Sequence, residues 1–251
     1  MQLTFLGTGS AMPTGDRFQT GLLVESGGDR LLIDCGSGVL HALARTPTGY
    51  EGTDTVLLTH HHLDHVSDLL ALLKARWLAE EDSLAVAGPP GTSTLVRDLL
   101  DVHDYLDGRV DLAIRDLTEG AFSLAGFDCQ AMETRHSMQG FAYRIGHPDS
   151  DRDLVFSGDS EAFTDLIAFA DGAAALVHDC SFPDDAGISN HATPSQLGRA
   201  LADANGDVGR VYLTHLYPHT DGRHEEMLDS VADYYGGEVR FPEDGQTVSL
   251  D

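Results

Sequence analysis

One short segment of the 251-residue chain concentrates groups that bind metal ions. Residues 59–65 read T-H-H-H-L-D-H, which places four candidate ligands in an H-x-H-x-D-H pattern. The segment follows an apolar run at 55–58 that predicts a buried strand. Neutral imidazole and carboxylate are ligands that suit zinc and similar divalent ions. The pattern therefore predicts a metal site at a strand end, and a polar loop rich in His by accident is the alternative.

Three later segments also end an apolar run with one candidate ligand, and these ligands are His136, Asp159 and His215. Taken alone, each is weak evidence, because a lone His after a strand is more often a hydrogen-bonded structural residue. The repetition gives the pattern its weight, since sites in layered α/β folds form where strand ends converge. We therefore predict that these side chains join the first segment in one pocket.

Together these segments resemble the metallo-β-lactamase superfamily and, within it, the ribonuclease Z branch, over nearly the whole chain. The resemblance is carried by F-L-G-T-G-S at 5–10, L-I-D-C-G-S-G at 32–38, the motif at 60–65, His136, S-G-D-S at 157–160 and L-T-H at 213–215. It implies an α/β fold, the αβ/βα four-layer sandwich, with two mixed β-sheets packed face to face and helices on the outer faces. We expect a single domain over residues 1–251.

The resemblance also implies a site for two divalent ions, Zn²⁺ or alternatively Mn²⁺. The implied ligands are His60, His62 and His136 for the first ion, Asp64, His65 and His215 for the second, and Asp159 as the bridge. A bridging carboxylate and hydroxide offset the repulsion between cations that lie about 3.5–4 Å apart, and the ions lower the pKa of the shared water. Asp34 is expected to orient one ligand His from behind.

A general acid is the next implication of the resemblance. L-V-H-D-C-S-F at 176–182 is similar to the His-Glu-Ala-Thr-Phe segment of ribonuclease Z, with Asp179 in place of Glu, and N-H-A-T at 190–193 is similar to its His-x-Thr segment. The predicted catalytic residues are therefore Asp64, His191 and Asp179. His191 would protonate the leaving oxygen while Asp179 orients it. The alternative for His191 is a structural position before the helix that Pro194 begins.

Parts of the ribonuclease Z pattern are missing from this chain. Only twenty-two residues separate His136 from Asp159, too few for the tRNA-gripping arm that ribonuclease Z carries there, and L-Y-P-H at 216–219 also departs from the family. We therefore predict a metal-dependent phosphodiesterase or ribonuclease acting on RNA, as an exonuclease rather than a tRNA 3′-end endonuclease. The alternatives are a two-metal hydrolase of a small phosphodiester, sulfate ester or thioester, and a degenerate metallo-fold used for binding. The complete ligand set argues against the degenerate fold.

The charge balance is strongly acidic, with 15 basic and 41 acidic residues and a formal net charge of −26. Lys74 is the one lysine, and 30 of the acids are Asp. Such a surface repels itself in dilute buffer, whereas molar salt shortens the Debye length to roughly 3 Å. The composition predicts a protein of an extreme halophile, and a surface that repels nucleic acid is the alternative. RNA binding would then depend on the ions and on a few arginines, for which the candidates are Arg17, Arg135, Arg144, Arg210 and Arg223.

The remaining predictions concern compartment and secondary structure. No run approaches 18 apolar residues and the chain begins with a predicted strand, so we expect a cytoplasmic protein without a membrane partner. Cys35, Cys129 and Cys180 are widely spaced and predict buried thiols rather than disulfides. A homodimer is left open, with the apolar helix at 66–78 as a candidate contact.

The sequence also predicts the secondary structure. The predicted strands are 3–6, 21–25, 30–33, 55–58, 84–87, 127–133, 141–145, 154–156, 175–177 and 211–213. The predicted helices are 66–78, 92–104, 161–170, 194–204 and 224–235, and we expect His147, His219 and His224 at the surface.

Overall fold

The computed structural model describes residues 1–204 and 206–250, and within them the chain forms fourteen β-strands and seven α-helices. The strands are β1 (Gln2–Gly7), β2 (Gly21–Ser26), β3 (Asp29–Ile33), β4 (Thr55–Leu57), β5 (Ser83–Gly88), β6 (Asp111–Asp116), β7 (Gly120–Leu124), β8 (Phe127–Glu133), β9 (Phe141–Gly146), β10 (Leu154–Phe156), β11 (Ala175–Asp179), β12 (Arg210–Thr214), β13 (Glu238–Arg240) and β14 (Thr247–Ser249). The helices are α1 (Val39–Leu43), α2 (Leu63–Val66), α3 (Leu69–Leu78), α4 (Thr92–Val102), α5 (Thr164–Phe169), α6 (Pro194–Ala204) and α7 (His224–Ala232).

The strands form two seven-stranded sheets, in the orders β14-β1-β2-β3-β4-β5-β6 and β13-β12-β11-β10-β9-β8-β7. Each sheet is mixed. In the first sheet the pairs from β14 to β3 are antiparallel and those from β3 to β6 are parallel. In the second sheet the pairs from β7 to β10 are antiparallel and those from β10 to β13 are parallel.

Apolar residues at consecutive strand positions explain why both faces of each sheet are covered. In β1, Phe5 faces the opposite sheet and Leu6 faces the helices, and Val177 and Leu176 of β11 divide in the same way. The rings of Phe5 and Tyr212 meet between the sheets at 5.1 Å. Helices α1, α3 and α4 cover the outer face of the first sheet, and α5, α6 and α7 cover that of the second. The predicted four-layer sandwich is therefore confirmed.

The carboxyl ends of parallel strands bring the chemically active residues to one edge. β10, β11 and β12 are parallel neighbours in register, so Asp159, Asp179 and His215 emerge side by side. β3 and β4 are also parallel, and Asp34 and His60 follow them. The convergence of strand ends that the sequence predicted is thus present in both sheets.

One predicted helix is interrupted in the structure. Instead of a continuous helix over 66–78, α2 ends before Ser67 and α3 begins after Asp68. The backbone N–H of Asp68 donates to the carbonyl of Cys35 at 2.9 Å, and its carboxylate accepts from the N–H groups of Gly38 and Leu40 at 2.9 and 3.0 Å. Because Asp68 bonds to the start of α1 in this way, the helix breaks and α2 forms a separate short element.

Other local predictions were partly wrong. The helix expected at 161–170 begins only at Thr164, because Glu161 donates its backbone N–H to Arg135 and accepts one from Asn190. His147 was expected at the surface, but it is buried and bonds to the carboxylate of Asp29 at 3.2 Å. The three cysteines are buried and free, as predicted. Among the described helices, none combines the length and the apolar character that a membrane crossing requires.

Candidate dinuclear metal centre

The seven predicted ligand residues lie together where the active edges of the two sheets face each other. Within each of two groups, one ligand atom per residue lies within 4.8 Å of the others. The first group is His60, His62, His136 and Asp159, and the second is Asp64, His65 and His215. The sequence separated these residues by up to about 150 positions, and the fold gathers them into adjoining groups.

Asp159 faces both groups. Its Oδ2 lies 3.6 Å from Nε2 of His60 and 3.3 Å from Nε2 of His215, while its Oδ1 lies 3.3 Å from Nε2 of His65. Burial raises the pKa of this carboxyl, but the charges of His215 and His65 more than offset that, so the pKa lies well below its ordinary value. Asp159 is therefore an anionic oxygen donor that faces histidines of both groups.

Hydrogen bonds behind the second group fix how His65 presents its ring. Nδ1 of His65 donates to Oδ2 of Asp34 at 2.8 Å, and Asp34 also accepts from the backbone N–H and the hydroxyl of Thr59, both at 2.8 Å. This bond fixes the ring, so Nε2 of His65 points into the centre, where it would bind a cation after losing its proton. Burial lowers the pKa of His65, but the charges of Asp159 and Asp34 outweigh burial and raise the pKa well above its ordinary value. Asp34 has φ 59°, a left-handed conformation that costs about 1–3 kcal/mol and that these three bonds offset.

His215 and His136 are held in the same way. Nδ1 of His215 lies 2.8 Å from the hydroxyl of Ser181, which donates its own proton to Asp179, so the imidazole is the donor in that pair. Nδ1 of His136 donates to the carbonyl of Asn190 at 2.8 Å. Both rings therefore turn Nε2 toward the centre, where that of His215 lies 3.1 Å from Oδ2 of Asp64.

The donor groups fit a pair of divalent cations. Nε2 of His65 is buried and has no hydrogen-bond partner among the described residues. Nδ1 of His62 lies 3.0 Å from Nε2 of His60 and 3.1 Å from Nε2 of His136. Burial and the charge of His65 lower the pKa of His60 well below its ordinary value, which keeps its imidazole neutral. Neutral imidazoles that converge beside carboxylates match the ligands of zinc or a similar ion.

A His–Asp pair borders this centre. Nδ1 of His191 lies 2.7 Å from Oδ2 of Asp179, and the ring of His191 stacks on that of His215 with 5.3 Å between centroids. Asp179 is fully buried and also accepts from the N–H of Ser160 and from the N–H and hydroxyl of Ser181. Burial lowers the pKa of His191, but the hydrogen bond and charge of Asp179 outweigh it and raise the pKa to about 9. His191 is therefore a cationic donor at neutral pH.

A glycine permits the close approach of two loops at the centre. A Cβ on Gly36 would lie 2.0 Å from the backbone carbonyl oxygen of Asp64. Any side chain at this position would push α2, with its ligand residues, away from the end of β3. In the D-C-G sequence after β3, Asp34 therefore supplies a carboxylate and Gly36 leaves the space that the backbone of Asp64 occupies.

The centre opens into a cavity of about 380 Å³. His62 and His136 are more exposed than His60, His65 and His215, so the open side is next to the first group. None of the described residues that line the cavity is Arg or Lys. The arginines predicted as phosphate ligands have other contacts, and they are Arg17, Arg135, Arg144, Arg210 and Arg223.

Sequence reasoning missed three residues of the site. Ser181 connects Asp179 to His215, Asn190 supplies the carbonyl that orients His136, and Tyr217 lines the cavity. A hydroxyl two positions after Asp179 is too common a feature to be singled out. The contact of Asn190 is made by its backbone, which carries no sequence signal.

The fold and the site define a metallo-hydrolase of the metallo-β-lactamase fold. The structure is similar to that of the metallo-β-lactamase fold protein YhfI from Bacillus subtilis, with a TM-score of 0.83 and 26% identity over 98% of each chain. Residues 1–227 match the profile of the family described as anti-Pycsar protein Apyc1, and the chain belongs to that family.

Ribonuclease Z proteins are homologues of this chain, as the sequence motifs predicted. Ribonuclease Z of Mycobacterium sp. (strain KMS) is 34% identical over 280 residues, which cover 100% of this chain and 96% of that protein. Ribonuclease Z of Haloferax volcanii is 27% identical over 305 residues, which cover 100% of this chain and 95% of that protein. Together with the His/Asp cluster, these relatives identify the protein as a hydrolase.

Proposed function

We propose that the protein is a two-metal phosphodiesterase whose substrate is a small phosphodiester. The proposal rests on one observation: two groups of metal-ligand side chains and a His–Asp pair open into the same cavity of about 380 Å³. When bound, two divalent ions supply a nucleophile from water near neutral pH and neutralise charge on the phosphoryl oxygens. We assign the ions to the ligand sets His60, His62, His136 and Asp159, and Asp64, His65, His215 and Asp159.

The His–Asp pair would handle the proton of the leaving group. His191 is protonated at neutral pH because Asp179 accepts a hydrogen bond from its Nδ1, which leaves Nε2–H as the donor on the far side of the ring. Attack of hydroxide on phosphorus would form one P–O bond and break another while that proton passes to the departing oxygen, which leaves as an alcohol and not as an alkoxide. General acids of this kind contribute roughly 10²–10⁴ to a rate.

Charge favours a small substrate over a polymer. The described lining of the cavity contains no Arg or Lys. A long polyanion needs contacts along its backbone, whereas a cyclic or short phosphodiester presents one phosphate to the cavity. Proteins that hold RNA backbones use basic side chains, and the described lining of the cavity has none.

Cleavage of RNA, including exonucleolytic cleavage, is the second candidate. It is favoured by the ribonuclease Z relatives, one of which is 34% identical over the whole of this chain. The two candidates share the metal ligands and the acid. They differ only in the part of the substrate beyond the scissile phosphate, which is a small group in the first candidate and an RNA chain in the second.

A parallel assay would separate the candidates. The protein would be loaded with Zn²⁺ or Mn²⁺ in 2 M KCl and given bis(p-nitrophenyl) phosphate, 2′,3′- and 3′,5′-cyclic nucleotides, end-labelled single-stranded RNA and a thioester. We expect turnover of the small phosphodiesters and intact RNA. Degradation of RNA with inert cyclic nucleotides would favour the second candidate, and hydrolysis of the thioester alone would refute both.

The pair of His191 and Asp179 predicts a pH profile. The acid functions below its pKa and is lost as the pH rises through it, so the alkaline limb of kcat/KM should lie at or below about pH 9, since bound cations would lower the value. Asp179→Asn removes the charge that raises the pKa while burial still lowers it. We expect the limb to move at least about one unit toward acidic pH. The control is Asp98→Asn on the exposed face of α4. An alkaline limb that Asp179→Asn does not move would contradict this assignment.

We further propose that the protein works in concentrated salt, for which the net charge of −26 and the relative from Haloferax volcanii are the support. Raising KCl from 0.1 to 2 M screens the repulsion among its carboxylates. A gain of about 2 kcal/mol would raise the melting temperature by about 4–8 °C for a chain of this size. Thermal unfolding measured with sucrose at matched osmolality separates charge screening from solute exclusion. A melting temperature that does not change with KCl concentration would contradict the proposal.

A further inference from the structure

Tyr217 lines the cavity but has no role in the proposed mechanism. It lies two positions after His215, in the stretch where the sequence departs from the ribonuclease Z pattern. It lines the same cavity as His62, Asp159 and His191, and it is half-buried. Its hydroxyl forms no hydrogen bond with any residue in the described ranges 1–204 and 206–250, so it is available to a ligand.

The ring of Tyr217 is held firmly on one side of the cavity. Phe182, which is 7% exposed, stacks against it with centroids 4.4 Å apart and planes 27° apart. The backbone N–H of Tyr217 donates to the carbonyl of Ser181 at 3.4 Å, and its carbonyl accepts from the N–H and hydroxyl of Thr220 at 2.9 and 2.8 Å. A donor that is already ordered loses little entropy when it binds a ligand.

The cavity needs such a donor. A phosphodiester has two non-bridging oxygens that share one negative charge, and no Arg or Lys lines the described cavity to bind them. Two other hydroxyls belong to the lining: that of Ser137 lies 3.4 Å from Nε2 of His136, and that of Ser189 accepts from the side chain of Asn190 at 3.4 Å. The ring centroid of Tyr217 lies 5.7 Å from that of His215 and 6.0 Å from that of His191.

We propose that the hydroxyl of Tyr217 donates a hydrogen bond to a non-bridging oxygen of the substrate phosphate, as an uncharged replacement for the basic residue that phosphate sites commonly use. This inference rests on the proposed function only in requiring a phosphoryl group in the cavity. A short hydrogen bond suits a protein in concentrated salt, because salt screens attraction between separated charges far more than it weakens a direct contact.

The test compares Tyr217→Phe, which removes the hydroxyl and keeps the ring, with Phe182→Leu, which disturbs the stack and keeps the hydroxyl. Zn²⁺-loaded proteins would be titrated calorimetrically with inorganic phosphate and assayed with bis(p-nitrophenyl) phosphate. For Tyr217→Phe we expect phosphate affinity to fall roughly ten- to a hundredfold and KM to rise, as for the loss of a hydrogen bond to a charged group. Metal content and melting temperature should match those of the wild type, and Phe182→Leu should lose much less affinity.

Two results would overturn the assignment. One is phosphate affinity of Tyr217→Phe within twofold of the wild type, which would mean that the ions alone hold the phosphate. The other is an equal loss in both variants together with lower melting temperatures, which would give Tyr217 a structural role. A wild type that binds phosphate through Tyr217 but hydrolyses no phosphodiester would sink the proposed function and leave this inference standing, whereas a wild type that binds no phosphate would refute it.

Discussion

Asp159→Asn is expected to abolish turnover and to reduce bound metal from two ions per chain to one or fewer. The substitution keeps the shape of the side chain but removes the anionic oxygens that face both ligand groups at 3.3–3.6 Å. Without that charge, two cations in adjoining sites repel each other with no shared counter-charge. Since metal ions stabilise the transition state by several kcal/mol, kcat/KM should fall roughly 10³-fold or more. The measurements are elemental analysis after gel filtration and initial rates with a chromogenic phosphodiester.

The matched control for this variant is Asp98→Asn, which removes the same charge from an exposed position on α4. It should keep both ions and full activity. Circular dichroism and the melting temperature would show that the Asp159 variant is folded. A folded Asp159→Asn protein that keeps two ions and more than a tenth of its activity would contradict the shared-carboxylate assignment.

His191→Ala is expected to lower kcat for a cyclic nucleotide by roughly 10²–10⁴ while leaving the metal content unchanged. The side chain would donate a proton to the leaving oxygen, so the loss should depend on the leaving group. p-Nitrophenolate departs without protonation, whereas an alkoxide of ribose does not. The effect should therefore be small for bis(p-nitrophenyl) phosphate and large for a cyclic nucleotide, and rates for both substrates measure the difference.

His41→Ala is the matched control for His191, because His41 is exposed on α1 and lies outside the cavity lining. It should change neither rate. A loss of less than threefold with the cyclic nucleotide would return His191 to the structural role that its place before α6 also allows. An equal loss with both substrates would instead indicate that His191 positions the substrate and does not protonate it.

The parts of the fold that the sequence predicted are those whose pattern is strongest. Central strands such as β3 and β11 are buried on both faces, so their runs of Leu, Ile and Val are continuous and easily recognised. The four strands that were missed, β6, β7, β13 and β14, are the outermost strands of the two sheets. An outermost strand is largely exposed, as the alternation in β6 shows, and its mixed composition resembles a loop.

The convergence of the candidate ligand residues was predictable because their types are rare at strand ends and because they recur there. The residues that orient them were not, since their roles depend on distance in space. Ser181 is an ordinary serine until the fold places its hydroxyl 2.5 Å from Asp179 and 2.8 Å from His215. Three residues of the site have left-handed backbones, Asp34, Asn190 and His215 with φ 59°, 70° and 61°, and the sequence reasoning predicted none of these conformations.

Anomalous diffraction at the zinc absorption edge tests the central claim most directly. Crystals grown with Zn²⁺ should show two peaks about 3.5–4 Å apart, which is the usual spacing of paired catalytic metals. One peak should lie among the imidazoles of His60, His62 and His136, the other beside His65 and His215, and the carboxylate of Asp159 should contact both. An empty pocket in metal-saturated crystals, or a single ion that does not contact Asp159, would contradict the account.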